Sequence, residues 1–533
     1  MGSKKSSFFS TNAGVFVIAL SLVFIAFMAY KDTLGYSFIG GGTLPLIESG
    51  RIQSFNDLIR IFSEPFKSGF ETKGWFYYRP VSTLSFGIDY AIWGLNPSGY
   101  HLTNLILHAL ASILVFLLIR FLTSGSNITA WFGALIFTIH PVIIETLPAP
   151  ARRHNILEAL FLLSSLLLWM KYFSSALHKK SYLFLSVIFY AAALGSKESG
   201  ILLPVLIFTY LMILGQQNIS FIRRILPALK KTLPFLAVTF IFFAWRTHII
   251  GGMGGDEGKQ LNLFTINTIT KSLPETVKTY FLQLLYPADF LSSHINQDLI
   301  PHKILLSFFI FILIIIWKRN TIKDFFINSA EGRLVSFSLI WLFLPLVFCS
   351  YLSTLLLAHR CLYGSVISFS IILSVLLAHS FNSIMNKLKA SHPPLFLLKG
   401  ILIFMITAGL YTSILIYSPL FKTYGEWRAI SNIAHSFFDK LSVILPELPE
   451  NAVIRIHNFP SVIAPYRSQI PHANEVAGIT DFSVKALLNL KRPANRMEVI
   501  FTGKDKIDFY PRNIDIDIKK DTGRNIDVII MLD

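Results

Sequence analysis

Basic side chains stand beside long apolar stretches at several places in this 533-residue chain. A charged group is costly near the apolar core of a membrane, so it usually has a partner or a function there. Arginine holds phosphate well because its planar guanidinium makes paired, charge-assisted hydrogen bonds. The residues concerned are Arg79, Arg152, Arg153, Lys197, Arg246, His359 and Arg360. Together they predict an outward-facing basic cavity that would suit an anionic lipid phosphate.

Plainer explanations exist for these basic residues. Arg152 and Arg153 could anchor lipid headgroups, and Lys197 could form a salt bridge with its neighbour Glu198. Arg246 could extend its side chain to the membrane interface, as long basic side chains do. The sequence alone leaves these alternatives open.

A second group of polar residues shares one face of a helix. His101, Asn104 and His108 are spaced i, i+3 and i+7, which places them on the same side of a predicted span. Such residues could hydrogen-bond between membrane helices, or they could line a polar cavity that opens outward. Both explanations remain open at this point.

The composition indicates a membrane protein. The chain is 53% hydrophobic and 14% charged, with a mean hydropathy of +0.58, whereas a soluble chain carries about a quarter charged residues. Apolar runs near the roughly 20-residue length that crosses a bilayer predict about eleven spans. The first run lacks a small-residue cleavage site, so we interpret it as an anchor rather than a signal peptide. The runs are 13–30, 102–122, 129–147, 156–173, 181–195, 200–215, 232–249, 303–317, 334–352, 362–381 and 394–418.

The basic residues also predict the orientation. If the N-terminus is cytosolic, the cytosolic segments hold seventeen Lys and Arg against two acids, Asp324 and Glu331. This is the positive-inside pattern, and it explains most of the net charge of +17 without nucleic-acid binding. We therefore expect an integral membrane protein with its N-terminus in the cytosol.

Three regions are expected on the outer side. The loop 30–101 should carry two helices that lie on the membrane, at 54–66 and 81–95. The first of these has its apolar residues on one face. The second outer region is the loop 250–302. The third is the tail 420–533, which has strand-like runs at 452–456, 497–501 and 527–532 with turns between them. It predicts a small α/β domain outside the membrane, after a transmembrane domain at 1–419.

Several motifs occur in the order known from one superfamily. The chain resembles the C-type (GT-C) glycosyltransferase superfamily, and within it the transmembrane-and-TPR O-mannosyltransferases and their prokaryotic relatives. The most specific block joins Tyr78-Arg79-Pro80 to LNPSGYHLTNLILH at 95–108. The later blocks are IHPVIIE at 139–145, Arg153-His154-Asn155, GSKESG at 195–200 and AHRCLYGS at 358–365.

The resemblance implies a fold and an activity. A GT-C-like chain is a polytopic α-helical membrane protein. It takes a sugar from a polyprenyl-phosphate carrier on the outer membrane face and transfers it to a protein, lipid or glycan. The sequence also departs from the family pattern. Gly40–Gly42 stand where relatives carry an acidic pair, Asn155 and His359 stand where they tend to carry acids, and no TPR array follows.

The chemistry implied by this resemblance needs two kinds of group. Basic donors must hold the carrier phosphate as charge develops, and a carboxylate or histidine must accept the proton of the attacking hydroxyl. Glu145 is the preferred base and Asp32 the second, although Glu145 could equally form a salt bridge with Arg152 or Arg153. The candidate donor-binding set also includes His101, Asn104, His140 and Tyr363. A divalent cation could assist, although no ligand spacing demands one.

The sequence therefore predicts a glycosyltransferase of a bacterial or archaeal cytoplasmic membrane, with a polyprenyl-phosphate sugar donor. Its expected partners are the donor, an acceptor and membrane lipids. Two alternatives are a lipid-glycan transporter or flippase and a non-catalytic relative that keeps the lipid-binding cavity. A transporter would more often show repeated halves, whereas Gly40–Gly42 would suit a non-catalytic relative.

Overall fold

Long apolar helices make up most of the molecule in the computed structural model. It describes residues 12–66, 77–175, 179–215, 219–251, 284, 319–352, 359–388, 419–460, 462–463, 480–492, 497–502, 506–507, 514–520 and 525–532. The helices are α1 (Asn12–Tyr30), α2 (Thr43–Gly50), α3 (Phe55–Ser63), α4 (Pro80–Trp93), α5 (Pro97–Leu122), α6 (Asn127–Ile139), α7 (Arg153–Ser174), α8 (Lys180–Ser196), α9 (Leu202–Ile213), α10 (Phe221–Ile250), α11 (Arg319–Asn328), α12 (Ala330–Leu352), α13 (Tyr363–Leu388), α14 (Pro419–Ile444) and α15 (Asp481–Lys491).

The predicted spans correspond closely to helices. Nine of the eleven coincide with α1, α5 to α10, α12 and α13, and the runs 303–317 and 394–418 lie outside the described residues. Within the described ranges, six helical segments are long and apolar enough to cross a membrane, and two shorter apolar helices accompany them. The chain is therefore a polytopic α-helical membrane protein, and its full number of spans stays a prediction.

The third span differs from the prediction in its outer part. The α-helix ends at Ile139, and Pro141–Glu145 and Pro150–Arg152 form separate 3-10 turns. The cause is Pro141, because a residue before proline avoids the helical region, and His140 is extended, with φ −60° and ψ 130°. As a result, Glu145 lies on its own turn rather than on a membrane helix.

The first outer loop contains three helices. α3 and α4 match the two predicted interfacial helices, and Ser54 and Asp57 form a capping box at the start of α3. Phe55, Ile59 and Phe62 of α3 are exposed, which is what a helix lying on a lipid surface would show. α2 was not predicted. It crosses α4 so closely that a methyl group on Gly87 would lie 2.2 Å from the Gly50 carbonyl oxygen.

The tail contains a small mixed sheet. Its strands are β1 (Val453–His457), β2 (Val462–Ile463), β3 (Glu498–Thr502), β4 (Lys506–Ile507), β5 (Ile514–Lys520) and β6 (Asn525–Leu532). Four of them form a sheet in the order β3-β1-β6-β5. β1 is parallel to β3 and β6, and β5 is antiparallel to β6. β1, β3 and β6 coincide with the three strand-like runs read from the sequence, and alternate residues of β1 are buried.

Hydrogen bonds join the tail to the first outer loop. Ser483 Oγ donates to the Gly41 carbonyl at 2.8 Å, and Asn489 Nδ2 donates to Glu48 Oε1 at 2.8 Å. The backbone N–H of Ser37 donates to Ser431 Oγ at 2.8 Å. The tail and the first loop therefore lie on the same side of the helical bundle.

Candidate functional site

One carboxylate joins two arginines from different parts of the chain. Glu145 Oε1 lies 3.0 Å from Arg152 Nη1 and 2.8 Å from Arg360 Nη1. Its other oxygen accepts the backbone N–H of Arg360 at 3.1 Å. The buried Glu145 thus fixes the turn before α7 to the 3-10 turn before α13, which is His359–Leu362.

A second carboxylate, Glu198, has a similar arrangement. It accepts hydrogen bonds from Arg79 Nη2 at 2.8 Å and Nε at 3.1 Å, and Arg246 Nη2 lies 3.6 Å from its other oxygen. Burial, the largest single influence, lowers the pKa of Arg79, but the charge and the hydrogen bond of Glu198, with smaller contributions from Tyr77 and Glu158, together raise that pKa. Arg79 therefore remains a cation.

Arg153 occupies a different environment from these arginines. It is completely buried, and its Nε donates to Asn104 Oδ1 at 2.6 Å. Its Nη2 donates to Asp89 Oδ2 at 2.5 Å and to the Tyr100 carbonyl at 3.1 Å, and its Nη1 donates to the Ser85 carbonyl at 3.2 Å. Protein atoms therefore engage every nitrogen of this guanidinium group, and Arg153 with Asn104 ties α7 to α4 and α5.

His154, the next residue, lies among the remaining basic groups. It interacts electrostatically with the charges of Arg79, Lys197 and Arg360. Lys197 Nζ donates to Asn155 Oδ1 at 2.8 Å and lies 3.8 Å from Glu158 Oε2. The structure thus brings basic groups from four separate motifs around the start of α7.

The charge of this cluster is positive overall. Its five cationic side chains outnumber its three carboxylates, which leaves a net charge of +2. The cations are Arg79, Arg152, Lys197, Arg246 and Arg360, and the carboxylates are Glu145, Glu158 and Glu198. We call these eight residues and His154 the basic cluster.

The predicted histidines mainly connect helices. His101 Nε2 donates to the Ser37 carbonyl at 3.2 Å. His108 Nε2 donates to the Thr138 carbonyl at 3.0 Å, so its Nδ1 accepts from the Tyr363 hydroxyl at 2.8 Å. His140 Nδ1 accepts the Val142 N–H at 3.3 Å, and its Nε2 donates to the Leu284 carbonyl at 3.2 Å. Of the two explanations for the shared face of α5, these contacts favour hydrogen bonding between helices.

Asp32 and the glycine run lie close to the tail. Asp32 is exposed and pairs with Arg428 of α14 at 2.7 Å. Gly40 has a φ of +80°, and a Cβ there would lie 3.1 Å from the Ala149 side chain. Gly41 accepts the hydrogen bond from Ser483. The glycine run, which stands where the resemblance implies an acidic pair, therefore packs closely against neighbouring residues.

A cleft opens beside Lys197. Its polar side chains are Glu158, Lys197 and Ser199. The other lining residues are Ala159, Leu162, Leu202, Trp341, Pro345, Cys361, Gly364 and Ile367. Among the described residues, no group of three His, Cys, Asp or Glu side chains could hold a metal ion.

Two acids of this region, Asp89 and Glu158, were missed from the sequence. Glu158 carried a usable signal, because it follows His154 by four residues and so shares its face of α7. Asp89 lies in the middle of α4, and nothing local to it indicates its partner Arg153.

Comparison with known proteins relates this region to glycosyltransferases. Residues 80–250 match the family described as dolichyl-phosphate-mannose-protein mannosyltransferase. The protein O-mannosyl-transferase TMTC2 of Homo sapiens is 28% identical over 240 residues, which are 42% of this chain and 28% of that protein. The TMTC2 protein of Xenopus laevis is 27% identical over 242 residues, with the same two coverages. The chain thus spans 28% of the length of either relative.

Among solved structures, the chain is similar to ArnT from Cupriavidus metallidurans in the apo state. The sequence identity is 13%, the TM-score is 0.49, and the alignment covers 93% of this chain and 87% of that one. The region matched by the mannosyltransferase family contains most of the basic cluster. The resemblance read from the sequence is confirmed, because the matching family and the matching relatives are protein mannosyltransferases.

Proposed function

We propose that this protein transfers a sugar from a polyprenyl-phosphate carrier to a hydroxyl group of a protein, lipid or glycan on the outer membrane face. The observation that carries the proposal is the basic cluster, which holds a net charge of +2 within a membrane protein. Much of it lies in the region that matches a family described by its dolichyl-phosphate-mannose donor. Mannose and a protein acceptor are therefore the first combination to assay.

Arg360 is the best-placed ligand for the carrier phosphate. Its side chain is 30% exposed to solvent, and the buried Glu145 holds its guanidinium in place. Lys197 and Arg79 both interact electrostatically with His154. We therefore include them with Arg360 as hydrogen-bond donors to the phosphate. Arg153 has a structural role in this proposal, because its nitrogens are engaged by protein atoms.

Glu145 then has a positioning role rather than the role of base. Both of its oxygens accept hydrogen bonds from Arg360, and one of them also faces Arg152. These contacts orient the arginines before the donor arrives. Fixed donors of this kind stabilise the charge that develops on the leaving phosphate without reorganising during the reaction.

A transfer assay tests the activity. Protein reconstituted in lipid vesicles would receive labelled polyprenyl-phosphate mannose and a candidate acceptor. We expect free polyprenyl phosphate to be released as labelled sugar appears on the acceptor. Movement of intact donor across the bilayer without cleavage would instead indicate a flippase. Binding with neither cleavage nor movement would indicate a non-catalytic relative.

A binding experiment tests the phosphate site. Arg360→Ala should weaken polyprenyl phosphate binding about ten- to a hundredfold, since a charge-assisted hydrogen bond contributes about 1.5–3 kcal/mol. Arg428→Ala is the matched control. This outer arginine forms an exposed pair with Asp32, and such pairs contribute about 0–1 kcal/mol. Equal binding by both variants would remove Arg360 from the site.

A further inference from the structure

We infer that Glu158 is the general base of the reaction and that the acceptor hydroxyl approaches it through the cleft that it lines. The inference rests on the proposed function and adds to it a catalytic residue. Neither Glu145 nor Asp32, the two acids singled out from the sequence, has this placement.

Among the described acids near the basic cluster, Glu158 has the surroundings that best suit a general base. Glu145 and Glu198 are each held by two arginines, and Asp89 is bound to the buried Arg153. Glu158 has a looser contact, because Lys197 Nζ lies 3.8 Å from its carboxylate, beyond the usual length of a hydrogen bond. A base needs an oxygen that can reach the substrate, and this carboxylate lines an open cleft.

Glu158 also lies close to the residues that we propose hold the phosphate, as a base in this reaction must. Glu158 lies one helical turn after His154 on α7, so the two side chains are neighbours on one face about 5–6 Å apart. His154 interacts with the charges of Arg79, Lys197 and Arg360. The attacked carbon is bonded to a phosphate oxygen, so the base must lie close to the phosphate site without contacting the phosphate itself.

The cleft carries both polar and apolar groups. Glu158, Lys197 and Ser199 supply polar groups that can hydrogen-bond a hydroxyl. The other lining residues include Trp341 and Pro345 from α12. Cys361, which follows Arg360 directly, also lines the cleft. Glu158 and the turn that carries Arg360 therefore border the same cleft.

The proposed step conserves atoms and charge. The acceptor oxygen forms a bond to the anomeric carbon as the bond between this carbon and the phosphate oxygen breaks. The electron pair of the broken bond stays on the phosphate, which leaves as polyprenyl phosphate. Glu158 takes the proton of the acceptor hydroxyl and releases it to solvent after the products depart. No other reactant is needed.

Amide substitution provides the main test. Glu158→Gln keeps the shape of the side chain but accepts no proton, so the transfer rate should fall by about 10²–10⁴. Binding of polyprenyl phosphate, used without a sugar, should stay within about twofold. Glu158→Asp should recover part of the rate. Asp439→Asn is the matched control, because it removes an exposed carboxylate of α14, and it should transfer sugar normally.

Two further measurements separate catalysis from structure. Added formate should partly restore transfer by Glu158→Ala, and the decline of the transfer rate at low pH should disappear in Glu158→Gln. The charged groups that act on Glu158 are Lys197, Glu198 and Arg79, and all of them remain in this variant.

The outcomes are distinguishable. If the unmodified protein transfers sugar and Glu158→Gln does so at a similar rate, the inference is wrong while the proposed function stands. Loss of polyprenyl phosphate binding in Glu158→Gln, with no rescue by formate, would show that Glu158 only holds Lys197. Absence of transfer by the unmodified protein would overturn both proposals.

Discussion

Arg153 and Arg360 show how two residues of one type differ through their neighbours. The sequence predicts that both hold phosphate, because both are basic, outer and part of matching motifs. In the structure Arg153 is completely buried and bonded to Asp89, whereas Arg360 keeps part of its surface. The difference depends on acceptors supplied by α4 and α5, which no local pattern around residue 153 indicates.

This contrast leads to a stability prediction for a single residue. Arg153→Ala should lower the free energy of unfolding by about 3–5 kcal/mol, because it leaves Asp89 buried without its counter-charge. Thermal unfolding in detergent would measure the loss. The fraction that still folds should bind polyprenyl phosphate almost normally. Arg360→Ala should instead keep its stability and bind polyprenyl phosphate more weakly. Normal stability together with lost binding would place Arg153 at the phosphate after all.

At the scale of elements, the crossing of α2 and α4 supports the first outer loop. The two helices meet at Gly50 and Gly87, where backbone atoms occupy the space of a side chain. Arg79 is the residue before α4, and Asp89 lies within α4. The crossing thus holds in place one arginine of the basic cluster and the counter-charge of Arg153.

Gly87→Ala tests this crossing. Alanine favours a helix over glycine by about 1 kcal/mol, yet its methyl group would lie 2.2 Å from the Gly50 carbonyl oxygen. Overpacking of this kind costs about 1–3 kcal/mol, so we expect a lower unfolding temperature and weaker donor binding. Gly35→Ala is the control, because no atom lies within 4 Å of its added carbon. If both variants had the same effect, α2 and α4 could move apart at Gly87 without loss of stability or donor binding.

For the whole molecule, the tail and the first loop form one layer on the same side of the helical bundle. Asn489 and Ser483 of the tail bond to Glu48 and Gly41 of the loop, and the ring of Trp427 from α14 lies 5.1 Å from the Arg152 guanidinium. This tail therefore packs against the glycine run and an arginine of the basic cluster. Both sides of this contact must be on the same face of the membrane.

The orientation can be tested directly. The Lys and Arg distribution predicts a cytosolic N-terminus and an outer tail. A reporter that is active only in the cytosol should therefore be silent when fused after Asp533, and the same reporter placed before Lys4 should be active. Activity at Asp533 together with silence before Lys4 would mean that the whole protein is inverted, which would move the basic cluster to the cytosolic face.

The sequence by itself determined the class of the protein and most of its helices. Apolar length is a property of consecutive residues, so the bilayer requirement can be read locally, and nine predicted spans coincide with helices. The strands β1, β3 and β6 were predicted for the same reason, because an alternating or apolar run is also a property of consecutive residues. The end of α6 was missed because the apolar run continues through Pro141 while the backbone does not.

Only the tertiary structure decided which charged groups meet. Arg79 and Glu198 are 119 residues apart, and Glu145 and Arg360 are 215 residues apart. Each pair forms because packed helices bring distant turns together, and the cost of burying a charge selects those partners. A sequence shows that a carboxylate and an arginine are present, but their pairing depends on packing over the whole bundle. For that reason the structure separates Glu158, beside an open cleft, from Glu145, which is occupied by two arginines.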